Sequence, residues 1–165
     1  MPNPGHLPQS AEDALDLLSE DQDQILELFD RFDALVAEQA APERRRQLAE
    51  EICTLLLVQI EIKREILFPA ARDALADESP IDEATESLAG LDATLADVQS
   101  GDPGAPSYDA TVRVLQELFV EYMEEERAVL FPRLRDSSLD LEELGAELSA
   151  REEVLLEAGD DLEDL

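Results

Sequence analysis

The chain of 165 residues is long enough for one well-cored domain and short for two, and its 44% apolar content is that of a globular protein. Acid dominates the charge, with 42 Asp and Glu against 12 Lys and Arg for a net −30, which disfavours bare nucleic acid and anionic membrane as partners. No apolar run nears the roughly 20 residues that span a bilayer, and the single cysteine, Cys53, excludes an internal disulfide or a cysteine-based metal site.

Residues 1–9 hold three prolines and a glycine and are expected to be a disordered leader, in which His6 reads as a solvated side chain. The leader lacks the basic and apolar regions of a signal peptide, so a cytoplasmic location is expected. The bundle domain is placed at 10–158. Ser10-Ala-Glu-Asp13 is similar to a capping box with Asp in place of Glu, and it starts a first helix whose apolar period runs through Leu15, Leu18, Ile25, Leu26, Phe29 and Val36. Gln22 sits in the middle of that stripe, flanked by Asp21 and Asp23.

Pro42 suits the first position of a second helix, and that helix carries Gln59, Lys63 and then Leu67-Phe68-Pro69. Four residues advance a helix by about 400°, so Gln59 and Lys63 share a face one turn apart. Ile52, Leu55, Leu56, Ile62 and Ile66 lie on that face, with Glu61, Arg64 and Glu65 on the other. Lys63, the only lysine in the chain, is thus directed into an apolar stripe. A kink or break is expected near Pro69.

Ser79-Pro80-Ile-Asp82 is expected to cap a third helix that turns Ile81, Ala84, Leu88, Leu91, Leu95 and Val98 inward, with Thr85 and Asp92 at the margins. The turn-rich Gly101–Pro106 segment precedes Ser107, which can cap a fourth helix. Here the pattern of the second helix returns as Tyr122, Glu126 and Leu130-Phe131-Pro132. Leu115, Leu118, Phe119 and Val129 flank Tyr122, while Glu124 and Arg127 read as turned away. Residues 139–158 form a fifth helix with Leu141, Leu144, Leu148 and Leu155 on one side, and 159–165 an acidic, frayed tail. The acidic runs Glu61, Glu65, Glu124 and Glu125 read as solvated faces, and Arg44 to Arg46 as local compensation for acid.

Four amphipathic helices joined by short connections predict an all-α, up-down-up-down antiparallel four-helix bundle with an additional C-terminal helix. The helix order, the paired positions that each end in Leu-Phe-Pro, Asp21-Gln22-Asp23 and the Leu141-Glu-Glu-Leu-Gly145 tail helix resemble the hemerythrin-like (HHE cation-binding) family over about residues 11–157. The resemblance implies a di-iron site built from histidines on several helices and two carboxylates. It puts Gln22, Gln59 and Tyr122 at histidine positions, Lys63 and Glu126 at the carboxylate positions, and Leu88 at the third-helix position. Glu126 alone remains a plausible ligand, and an ammonium where a bridging carboxylate is expected repels cations.

The residues therefore predict a buried polar network of Gln22, Gln59, Lys63, Tyr122 and Glu126 in place of the metals, with no cofactor and no catalytic set. A desolvated lysine could act as a nucleophile or base and Tyr122 as a proton donor, but no further motif names a reaction. The expected role is non-enzymatic: a sensory, ligand-binding or interaction protein whose partner is a small molecule or a protein. The alternatives are residual metal, dioxygen or iron handling in a rearranged site, and an acidic decoy that docks on a basic protein. Acidity and scarce lysine also fit a salt-rich cytoplasm.

Overall fold

The computed structural model describes residues 13–163, so the leader expected at 1–9 lies outside the described residues. Helix α1 spans Ala14–Ala37 and begins where the Asp13 carboxylate accepts from the backbone N–H groups of Leu15 and Asp16. A carboxylate there satisfies orphan donors and faces the positive end of the helix dipole. Asp13, the last residue of the expected capping box, is thus itself the cap, while Ser10 lies outside the described residues. Beyond the end of α1, Gln39 takes a positive φ of 57° that reverses the chain, and Ala40 N–H returns to Leu35 O at 2.9 Å.

Helix α2 covers 42–74 in three parts: Pro42–Ile62, a π-helical turn Lys63–Leu67, and Phe68–Ala74. Helix α4 repeats this over 107–135 as Ser107–Glu125, a π-helical turn Glu126–Leu130, and Phe131–Arg135. In each the phenylalanine N–H bonds five residues back, Phe68 to Lys63 O and Phe131 to Glu126 O. Proline brings no N–H and crowds the carbonyl four residues before it, and the wider turn absorbs both problems. The expected kink or break at Pro69 is therefore a π turn, and the helix continues beyond it. Lys63 and Glu126 occupy the same position, the first residue of the turn.

Helix α3 spans Ser79–Ser100. Neither serine expected to cap α3 or α4 does so, since Ser79 and Ser107 are already helical. For α3 the acceptor is Asp77, which takes the Ser79 N–H at 3.0 Å. α3 turns Ile81, Leu88, Leu91, Leu95 and Val98 into the core as its periodicity demands.

The four helices form a ring in which α1 packs on α2, α2 on α3 and α3 on α4. The α1–α4 seam is closed chiefly by side chains, including Phe29 against Phe119 with ring centroids 6.0 Å apart. Helix α5, Leu141–Glu163, lies outside the ring across α1 and α2. Leu144 and Leu148 are buried beneath it, and Gly145 lets its backbone approach the start of α1. It runs helical to Glu163, so residues 159–163 of the segment expected to fray continue the helix, and 164–165 lie outside the described residues. No helix among the described residues is long and apolar enough to cross a membrane.

Candidate functional site

Lys63 on α2 and Glu126 on α4 face each other diagonally across the ring. Lys63 Nζ lies 2.9 Å from Glu126 Oε1, and both side chains are 1% exposed or less. Gln22 Nε2 from α1 donates to the same oxygen at 2.7 Å. Tyr122, one turn before Glu126, donates its hydroxyl to Oε2. Three donors thus converge on the two oxygens of this one side chain. Lys63 Nζ also lies 4.5 Å from the Tyr122 ring centroid, within cation–π range.

Burial is the largest influence on these groups. It pulls the Lys63 ammonium below its ordinary range, and the carboxylate of Glu126 pushes back. It holds the Tyr122 phenol well above the usual value, with Glu126 adding to the rise by repelling a phenolate. Gln59, the fifth expected member, is 4% exposed but touches neither charge by hydrogen bond. Its Nε2 instead reaches Asp21 Oδ2 at 3.5 Å, and its Oε1 is buried without a hydrogen-bond partner among the described residues. The expected Leu88 position on α3 is apolar and 1% exposed.

The profile of the hemerythrin HHE cation-binding domain matches residues 13–134. The chain belongs to the hemerythrin HHE cation-binding family. A crystal structure of a hemerythrin HHE cation-binding domain-containing protein from Mycobacterium kansasii superposes with a TM-score of 0.73 at 21% identity, covering 87% of each chain. That likeness speaks to the fold. No curated protein sequence matches the chain.

A hemerythrin-type di-iron centre needs lone pairs converging on the metal, and here the convergence is of hydrogens. Gln22, Lys63 and Tyr122 all present N–H or O–H groups to Glu126. Of the lone pairs left over, that of Gln59 Oε1 belongs to a neutral amide, a weak donor for iron, and that of Glu126 Oε2 belongs to a single carboxylate already paired with Lys63. Among the described residues, no group of three or more His, Cys, Asp or Glu side chains is arranged to hold a metal ion. The residues at this hemerythrin position do not fit a di-iron centre.

Two contributors escaped the sequence reading. Arg127, expected to turn away from the core, reaches back over it. Its Nε donates to Gln22 Oε1 at 3.0 Å, and its Nη2 holds Ser19 O at 3.0 Å and Asp23 Oδ1 at 3.1 Å. It thereby fixes the amide orientation that lets Gln22 donate to Glu126. Asp21 carries a hydrogen bond to Glu152 of α5 besides its contact with Gln59.

Burial raises the Asp21 pKa above its ordinary 3.8, with repulsion from Glu20 assisting, while Glu152, Gln59 and Lys63 oppose the rise. A raised folded-state value means that the proton stabilises the fold at low pH. That contribution is complete below 3.8 and is lost as pH climbs through the folded value. Asp21→Asn should therefore flatten the fall of unfolding free energy in the window just above 3.8, read from urea curves collected at a series of pH values. Parallel profiles for variant and parent would show that Asp21 carries no such proton.

Proposed function

We propose that this hemerythrin-family bundle has exchanged the di-iron centre for an ion-pair network and works without catalysis, as a sensory, ligand-binding or interaction protein. The observation that carries this reading is the buried Lys63–Glu126 pair, 2.9 Å apart, formed by the two residues that the family resemblance puts at metal-binding carboxylate positions. One buried carboxylate with a lysine, an amide and a phenol donating to it has its charge neutralised from within the chain. A cation entering the site would have to displace the ammonium of Lys63, which is tied to its backbone and needs no dehydration to be there.

The absence of a reaction-bearing set supports the non-catalytic half. Tyr122 is held protonated and its hydroxyl is committed to Glu126. Cys53 is buried with its thiol pushed up to about 12, which leaves essentially no thiolate to attack anything. The charge of −30 supports an environment of high salt or a basic partner, and either suits a binding role.

Elemental analysis with an optical spectrum tests the proposal directly, on protein produced with iron supplied in excess. The expected outcome is no stoichiometric iron and no absorption beyond the tyrosine band. About two irons per chain, with near-ultraviolet and visible charge-transfer bands, would overturn it, since that is the loading of a carboxylate-bridged di-iron bundle.

A further inference from the structure

The α1–α4 seam leaves two adjoining hollows on its outer side, of about 410 and 510 Å³. They share Asp33, Arg113 and Glu117 and so form one groove. On the α4 side its lining recurs at helical spacing from Ala110 to Glu124, one face about 21 Å long at 1.5 Å per residue.

One end of the groove is apolar. Phe32 and Val36 of α1 and Val114 of α4 line the first hollow, and Val114 is 47% exposed. The other large apolar side chain so exposed among the described residues, Val154, lies on α5. Beyond Val114 the groove turns acidic. Glu117, Glu121 and Glu124 follow one another along α4 with Asp33 opposite, and none of these four forms an ion pair among the described residues. Arg113 is the one base among the lining residues, and Asp109 is already held by Arg45 at 2.6 Å.

Like charges three or four residues apart cost a helix stability. Elsewhere arginines bridge such acids: Arg46 lies between Glu43 and Glu50, Arg72 between Glu78 and Asp82, and Arg135 between Asp13 and Asp16. The row on α4 has no such bridge among the described residues, and it adjoins exposed apolar surface.

Resting on the interaction role proposed above, we infer that the α1–α4 groove is a docking site for an amphipathic basic helix of a partner protein. The partner's apolar stripe would lie on Val36 and Val114, and its Lys or Arg side chains would stand over Glu117, Glu121 and Glu124. Four turns of groove take a helix of about 14 residues. A second copy of this chain offers the wrong charge, since two such grooves would set acid against acid.

The test uses the full chain and a synthetic peptide of about 14 residues built from leucine, alanine and arginine, with leucine at helical spacing and arginine on the flanks. A shuffle of the same composition without helical period is the control, and binding is read by calorimetry at physiological salt. The patterned peptide should bind about tenfold more tightly than the shuffle. Val114→Asp should weaken it about tenfold through lost apolar contact, although added acid alone would strengthen attraction for a cation. Val154→Asp should leave the affinity unchanged, and Glu121→Gln should lower it about two- to fivefold, as expected for one exposed charge. Urea midpoints near that of the parent show that these exposed substitutions leave the fold in place.

Equal affinity for both peptides, or equal effects of Val114→Asp and Val154→Asp, would overturn the inference. So would a chain that dimerises through Val114 in sedimentation at high salt, which assigns the groove to a second copy. Iron analysis of the same preparation keeps the two readings apart. Stoichiometric iron refutes the metal-free reading whatever the peptide does, whereas iron-free protein indifferent to the helical pattern refutes only the groove.

Discussion

Lys63→Met should lower the unfolding free energy by about 3–5 kcal/mol, because it leaves the Glu126 charge buried with only Gln22 and Tyr122 to oppose it. Methionine fills nearly the volume of the lysine stem, so cavity formation contributes little and the loss is electrostatic. The accompanying result is what makes the measurement decisive. If an uncompensated charge is the cause, adding Glu126→Gln removes it, and the double variant should recover most of the lost stability. That recovery would show the network to be dispensable for folding, since a buried pair is often no better than well-packed neutral groups. Urea titrations of the parent, both single variants and the double variant give the coupling energy. Additive losses would mean that the two side chains do not depend on each other, whatever their separation.

Gly145→Leu should cost about 1–3 kcal/mol through overpacking, and its effect should be concentrated in α5. A Cβ at Gly145 would stand 2.9 Å from Ala14 N and 3.0 Å from Asp13 C. Those are backbone atoms at the capped start of α1, and no rotamer change moves them aside. The helix must shift as a body, carrying with it the Arg151–Glu65 pair, Nε to Oε2 at 2.7 Å, and the Asp21–Glu152 contact. Hydrogen exchange should show amides of 141–159 losing protection while those in the centres of α1 to α4 keep theirs. Uniform loss over all five helices would show that α5 is an integral part of the cooperative core.

The bundle and its polar centre were legible because both are written in helical period. Gln22, Gln59, Lys63, Tyr122 and Glu126 interrupt apolar stripes, and an interruption at the middle of a stripe is buried whatever the details of packing. Arg127 was missed for a definite reason. It is the second residue of a π turn, where the period of 3.6 that assigned it to the outer face no longer holds. Asp21 and Glu152 were missed because each lies on the margin of its own helix. Only the crossing of α5 over α1, permitted by Gly145, brings them together. Diagonal pairing of Lys63 with Glu126 likewise depends on depth in the bundle, and the repeated Leu-Phe-Pro sets that depth by starting both π turns at the paired residue.

One arrangement changes how the protein can be handled and modified. The sole lysine is 1% exposed, so the folded described surface presents no side-chain amine at all. Acylating reagents, amine cross-linkers and enzymes that modify lysine would find the ε-amine only during an opening of the core. The rate at which Lys63 is acylated would then clock that opening, with every other basic side chain, being arginine or histidine, silent in the same mass spectrum.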